Sequence, residues 1–239
     1  MIQTAVIMAA GMGTRFGNYT EKIPKGFIEC GNISMIERSI NTLLDCGITR
    51  IIIGTGYHKE KYEALAKKYR QIECVFSPRY AETNSMYTLY NCHDTIRLDN
   101  FILLESDLIF EKKAITSLLK CQEPDVMLIS PITKFQDQYY VEYNKGNILT
   151  RCSTSESDLD VKGELVGIHK LSNRFYQIMC DDYSTKVSLF PKLGYEYELL
   201  FMSQHLMNVY VLKVDGLKWY EIDDPKDLEF AEKNILKYL

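Results

Sequence analysis

The apolar run Thr4-Ala5-Val6-Ile7-Met8-Ala9-Ala10 breaks at once into Gly11-Met12-Gly13-Thr14-Arg15, with Pro24-Lys25-Gly26 a short way on. This stretch limits the chain more than any other. The run is too short to span a bilayer and apolar enough to be a buried central strand. Ala9, Ala10, Gly11 and Gly13 carry almost no side chain, so a ligand can come close to the backbone N–H groups between Ala9 and Thr14. A row of such amides, Met12's included, suits a polyphosphate. Arg15 and Lys25 add fixed positive charge to the same mouth. The stretch is expected to grip a nucleoside triphosphate and activate its α-phosphorus.

Three other readings compete. A glycine loop after a strand can be a plain turn into a helix. A dinucleotide fold wants G-x-G-x-x-G, but Phe16 holds the third position with Gly17 one place late. The second strand ends near Gly54 with no acid placed for a ribose. A P-loop wants G-x-x-x-x-G-K-[ST], and no window of the chain has it.

The rest of the chain alternates. Phe27 to Cys30 reads as a short extended piece. Ser34 and Glu37 have capping-box spacing, Ile36, Ile40, Leu43 and Leu44 share a helix face, and Gly47 sits where a left-handed helix end belongs. Ile51-Ile52-Ile53 is a second strand. Tyr62, Leu65, Ala66 and Tyr69 form the stripe of a second helix, and Glu73 to Phe76 a third strand. This order predicts an α/β protein with a Rossmann-like, mostly parallel sheet covered by helices on both faces. Thr83, Asn84 and Ser85 precede a helix. They can hold a pyrimidine edge or a ribose, or simply cap that helix.

Phe101 to Leu104 is a fourth strand, and Asp107 lies just beyond its carboxyl end, where ligands bind in open α/β sheets. Glu105 is set on the strand face opposite Ser106, with Asp107 turned back again, and only Asp107 is chosen. Asp125 to Ser130 is a fifth strand. Tyr139 to Tyr143 and Ile148-Leu149 flank a glycine-bearing hairpin turn, Ser153 to Asp160 is a polar loop expected to be mobile, and Gly163 to Ile168 is again a buried strand. Residues 131–165 are assigned to a small β-containing acceptor lobe within a single domain spanning 1–239. Two helices (Tyr176 to Asp182, Tyr195 to His205) and two strands (Val209 to Val214, Trp219 to Ile222) follow. Asp224-Pro225 has the form of a helix N-cap and first residue, opening a closing helix that buries Leu228, Ala231 and Ile235.

Composition removes other classes. The net charge of −4 offers no basic field for nucleic acid or an anionic membrane, so a phosphate site must be local. Seven scattered cysteines without a C-x-x-C pair point to reduced thiols in a cytoplasm, and the four histidines, expected at or near the surface, form no ligand cluster. No secretory signal or apolar run of membrane-spanning length is read.

The phrases AAGMGTR and PKG together resemble the signature of the sugar-nucleotide and cytidylyl nucleotidyltransferases. PKGFI, IERSI, GTGY, TNSMYTLY, LLESDL and GELVGI look closest to the 2-aminoethylphosphonate cytidylyltransferases, and next to the phosphocholine cytidylyltransferases. The resemblance implies the nucleotide-diphospho-sugar transferase fold and a Mg²⁺-dependent joining of CTP to 2-aminoethylphosphonate, releasing pyrophosphate and giving a product for cell-surface glycans or lipids. Phosphocholine or a sugar 1-phosphate is the alternative acceptor, and a silent nucleotide-binding regulator the alternative class. A homodimer is compatible with the family.

Carried onto this chain, the resemblance gives Asp107 as metal ligand. Asp223, in the E-I-D-x-P-x-D-like phrase at Glu221, is the second ligand, or else a helix cap beside Asp224. Lys25 bridges the α-phosphate and the incoming oxyanion, Arg15 and the Gly11 to Thr14 amides hold the β- and γ-phosphates, and Thr83 to Ser85 lie over the nucleoside. On the acceptor side, beside Asp107, an ammonium would want Glu164 or Glu142. A trimethylammonium would want aromatics such as Tyr139, Tyr140, Tyr143, Tyr195, Tyr197 and Trp219.

Overall fold

Alternation along the first strand explains the architecture. In the computed structural model, which describes residues 2–133, 138–157 and 159–239, β1 (Thr4–Ala9) is buried throughout. Its odd residues Ala5, Ile7 and Ala9 enter one core and its even residues Val6 and Met8 another. A strand with two apolar faces must lie inside a sheet covered on both sides.

After β1 the chain makes a 3₁₀ segment (Thr14–Thr20) and a 3₁₀ turn (Lys25–Phe27). The extended piece expected over 27–30 is reduced to one bridge between Glu29 and Ser34, because the turn takes up its first residue. Helix α1 (Met35–Asp45) begins at Ser34, whose hydroxyl accepts from the Glu37 N–H while Glu37 reaches back, and Gly47 stands at φ 87°. Then come β2 (Arg50–Thr55), α2 (Lys59–Lys68), β3 (Ile72–Phe76), α3 (Ser85–Asn91), the short α4 (His93–Ile96), β4 (Phe101–Glu105), β5 (Leu108–Phe110), α5 (Lys113–Lys120) and β6 (Val126–Ser130). The hairpin β7 (Tyr140–Tyr143) and β8 (Leu149–Ser153) leads into the long β9 (Gly163–Leu171). Helices α6 (Asn173–Lys186) and α7 (Tyr195–His205), strands β10 (Tyr210–Lys213) and β11 (Trp219–Glu221), and α8 (Pro225–Asn234) complete the chain. The hairpin turn takes its left-handed residue at Asn147, φ 56°, rather than at Gly146.

The main sheet runs β10-β6-β9-β4-β1-β2-β3. All neighbours are parallel except β9, which lies antiparallel between β4 and β6. The sheet is therefore mostly parallel, with one reversed strand inside it that alternation alone did not reveal. Hairpin β7/β8 hangs from β9, with Tyr140 opposite Glu164. Of residues 131–165, 134–137 and 158 lie outside the described residues. Among the described residues no helix is long and apolar enough to cross a membrane.

The core on the β1 odd face is filled by α1, α2 and α5, with Ile36, Ile40, Leu43, Tyr62 and Leu118. The opposite core takes Met86, Leu89, Phe175, Tyr176 and Tyr195 from α3, α6 and α7. A third, smaller cluster joins Phe16, Ile28 and Met35 to Ile109, Tyr220 and Ile222. It sits under the antiparallel ribbon of β5 and β11, and that ribbon sets the site.

Candidate active site

Ribbon pairing brings two distant acids together. Leu108 pairs with Glu221, and the Ile222 N–H donates to the Asp107 carbonyl at 3.0 Å. Asp107 follows β4 and Asp223 follows β11, so both carboxylates reach the carboxyl end of the parallel strands, beside the loop after β1. Asp224, not Asp223, caps α8: its carboxylate accepts from the Lys226 and Asp227 N–H groups at 2.7 and 2.9 Å.

Lys25 stands between the two acids. Its Nζ lies 2.5 Å from Asp107 Oδ2 and 2.6 Å from Asp223 Oδ1. Arg15 reaches the same Asp223 oxygen at 2.7 Å. Burial works against the ammonium's charge, yet Asp107, Asp223 and Glu221 together hold its pKa above the ordinary lysine value. Gly13 makes this approach possible. It sits at φ 61°, and a Cβ there would lie 3.0 Å from Lys25 Cβ, so a side chain would be strained in its backbone and pressed against the lysine stem. Thr20 ties the loop down, its hydroxyl donating to the Gly13 and Gly17 carbonyls at 3.0 and 3.1 Å.

These groups line one cavity of about 770 Å³. Ala10, Gly11, Gly13, Thr14, Arg15, Lys25, Thr83, Asn84, Ser85, Asp107 and Asp223 all face it. Ala9 is packed inside β1, and Met12 lies exposed on the loop, so neither side chain lines the cavity. Asn84 caps α3 by accepting from the Ser85 N–H at 2.8 Å while also lining the cavity.

Glu142 does not face the cavity. It stays on the hairpin, accepting from the Asp160 N–H at 2.9 Å and from the Thr150 hydroxyl, and its acceptor-binding assignment is withdrawn on that ground. Glu164 is fully buried and accepts from the Thr133 hydroxyl. It lines a small recess adjoining the main cavity, with Glu105, Tyr139, Trp219 and Glu221.

The sequence reading passed over three acids. Glu105, Glu196 and Glu221 all line the main cavity. Glu105 ends β4 and Asp107 lies in the turn that follows, and both face the cavity. Burial, then Asp107, Glu221 and Glu196, raises the Glu105 carboxyl well above the usual range, while the Tyr195 hydroxyl donates to it at 2.6 Å. Burial pushes Glu196 up to about 7. Acids two residues apart (Glu105 with Asp107, Glu221 with Asp223) fall on one side of an extended chain, and that spacing was the available signal. One histidine also departs from expectation. His169 is fully buried on β9, neither ring nitrogen has a partner among the described residues, and burial lowers its pKa to about 3.

The donor set fits a hard divalent cation. Carboxylate oxygens of Glu105, Asp107 and Glu221 lie within 4.8 Å of one another. Asp107 Oδ1 is buried without a hydrogen-bond partner, and Asp223 meets Asp107 across Lys25.

Residues 5–162 match the model of the MobA-like NTP transferase domain. The chain is similar to a 2-aminoethylphosphonate cytidylyltransferase of Lancefieldella rimae, 34% identical over 46% of this chain and 45% of that protein. It is similar to a choline-phosphate cytidylyltransferase of Streptococcus pneumoniae, 38% identical over 43% and 44%. The chain thus spans less than half the length of these two curated relatives. Among solved structures it resembles the CTP:phosphocholine cytidylyltransferase of Streptococcus pneumoniae in fold, with TM-score 0.81 at 24% identity, over 97% of this chain and 99% of that one.

Proposed function

Starting from the fact that the chain belongs to the MobA-like NTP transferase family, we propose that it is a Mg²⁺-dependent cytidylyltransferase joining CTP to 2-aminoethylphosphonate. One observation carries the reading: Lys25, Asp107 and Asp223 meet within hydrogen-bond distance beside the glycine loop. The relatives' activities support the choice of CTP and of a phosphonate or phosphate acceptor.

The acceptor oxygen is already an anion and needs no general base. It attacks the α-phosphorus, a new O–P bond forms, the bond to the β-phosphate oxygen breaks, and pyrophosphate leaves with the electron pair. The barrier is charge: two anions must meet, and more charge gathers on the leaving group. Alignment and fixed positive charge answer that barrier. Lys25 stabilises the α-phosphate and the incoming oxygen. Arg15 and the loop amides hold the β- and γ-phosphates. A divalent cation held by Asp107 and Asp223 would neutralise phosphate charge when bound.

The acceptor's far end meets acids. Glu105, Glu196 and Glu221 form a carboxylate wall in the cavity, with Glu164 in the recess behind. Buried carboxylates are relieved by a cation, and a primary ammonium can donate three hydrogen bonds to them. Tyr139 and Trp219 beside Glu164 favour a second reading, a trimethylammonium on aromatic faces, hence phosphocholine.

The test is pyrophosphate release with 2-aminoethylphosphonate, phosphocholine and sugar 1-phosphates, each against CTP, UTP, ATP and GTP. The proposal expects the highest kcat/KM for CTP with 2-aminoethylphosphonate. Preference for phosphocholine replaces the acceptor, preference for a sugar 1-phosphate overturns the cationic site, and tight CTP binding without turnover makes the protein a regulator.

A further inference from the structure

The GTGY phrase at the end of β2 and His58 after it play no part in the chemistry above, yet together they touch both ends of the triphosphate loop. At the loop's start, Tyr57 N–H donates to the Ala10 carbonyl at 3.2 Å. Gly56 lies so close that a Cβ there would sit 2.6 Å from the same carbonyl oxygen. At the loop's far end, His58 Nε2 lies 3.0 Å from the Glu21 carbonyl oxygen. Residues 56–58 thus bracket the segment that holds Gly11, Gly13, Thr14 and Arg15.

His58 is unusual for its place. It precedes α2 at the N-cap position in a left-handed conformation, φ 52°, where Asn, Asp, Ser or Gly would be ordinary. Its side chain makes no capping bond to the helix and turns instead to the loop. The other ring nitrogen, Nδ1, lies 3.1 Å from Glu60 Oε1, and the Tyr57 ring is 4.1 Å away, centroid to centroid. The ring is about three-quarters buried, at 23% side-chain exposure.

We infer that His58 is a positioning residue for the triphosphate loop, clamping its far end through Nε2–H to the Glu21 carbonyl with Glu60 orienting the ring. The inference rests on the nucleotidyltransferase reading only for its effect on CTP; the clamp itself does not. A backbone carbonyl only accepts, so Nε2 carries the proton that holds Glu21, and Glu60 at Nδ1 fixes the ring's orientation.

The test compares His58→Asn, which tolerates the left-handed backbone but is too short to reach Glu21, with His58→Gln, whose amide can donate to that carbonyl. Amide hydrogen exchange over residues 14–21 is read without ligand, so it is informative even for a protein that turns nothing over. His58→Asn should speed exchange there by roughly three- to tenfold, the worth of one such hydrogen bond, with exchange in α1 unchanged. With CTP and magnesium chloride, KM for CTP should rise by a similar factor with kcat little altered, and His58→Gln should recover most of both. Wild-type exchange over 14–21 in His58→Asn overturns the clamp, as does a uniform acceleration across the whole chain, which would mark a merely structural role. Loose exchange with unchanged CTP affinity overturns the link to the nucleotide alone.

Discussion

Removal of the Lys25 charge gives a prediction with two readouts of different origin. Lys25→Met keeps the apolar stem and deletes the ammonium. That ammonium lies 2.5 and 2.6 Å from carboxylates of Asp107 and Asp223, and its side chain is only 12% exposed. At an effective dielectric of about 20 each contact is worth roughly 6 kcal/mol of Coulomb energy, most of it offset by desolvation. What the variant feels is the cost of leaving half-buried acids without their cation. Breaking buried pairs costs about 3–5 kcal/mol, and the slight exposure here, with Arg15 still on Asp223, brings that to roughly 2–3 kcal/mol. For a chain of this size the melting temperature should fall by about 5–10 °C in metal-free buffer. Millimolar magnesium chloride should restore more stability to the variant than to the wild type, because Asp107 and Asp223 then have no competing ammonium. Turnover should fall about 10²- to 10³-fold, the usual loss for one preorganised charge donor. Calorimetric melts with and without magnesium, and pyrophosphate release, check each part. Near-normal turnover would remove Lys25 from the chemistry, and an identical magnesium response in both proteins would refute the shared-acid geometry.

Neighbouring aspartates should behave in opposite ways. Asp224→Ala loses an N-cap and should cost about 1 kcal/mol of stability with turnover kept, whereas Asp223→Asn, which takes a shared carboxylate from Lys25 and Arg15, should abolish turnover. Equal effects on both readouts would contradict the division of roles. His169 should make the fold acid-sensitive. With a folded pKa of about 3 and an ordinary value of 6.5 in the unfolded chain, the unfolded state takes up the proton first, so stability falls as pH drops from 6.5 towards 3. At pH 5 the cost is roughly 2 kcal/mol. His169→Leu should be more stable than wild type at pH 5 by about that amount and gain far less at pH 8, which urea titrations at the two pH values would show; parallel pH slopes would dismiss the buried imidazole as the cause. Glu196→Gln should raise KM for a cationic acceptor by an order of magnitude while leaving that for CTP alone, measured by varying each substrate in turn.

Much of the sheet was legible because the apolar pattern was strong. Val6, Ile52 and Leu103 belong to runs that no surface strand carries, and Ser34, Gly47 and Asp224 mark helix ends through local hydrogen bonds that need no tertiary context. The glycine loop, Lys25 and the two aspartates were legible as residues, but as neighbours only through the resemblance to the nucleotidyltransferases. Their meeting depends on the β5/β11 ribbon, whose strands of three residues each give no periodic signal. The reversal of β9 was hidden for a related reason. A strand buried on both faces reads the same in either direction, and only its partners fix its sense. Glu196 and Glu221 escaped because acids are ordinarily solvated and the spacing of Glu221 to Asp223 was not used, while Glu105 was weighed and set aside on strand alternation. Glu142 was misplaced by the same limit in reverse, being sequence-close to the site and spatially engaged by its own hairpin.

The reversed strand has one more effect. Ser130 and Glu164 are directly paired across β6 and β9, so backbone ladder closes the base of the excursion whose hairpin β7/β8 joins the same sheet at β9. Lengthening such a closed excursion costs only about 0.6 kcal/mol per doubling, and no strand that bears Lys25's partners need shift to accommodate it. A longer turn between β7 and β8 therefore need not displace Lys25, Asp107 or Asp223.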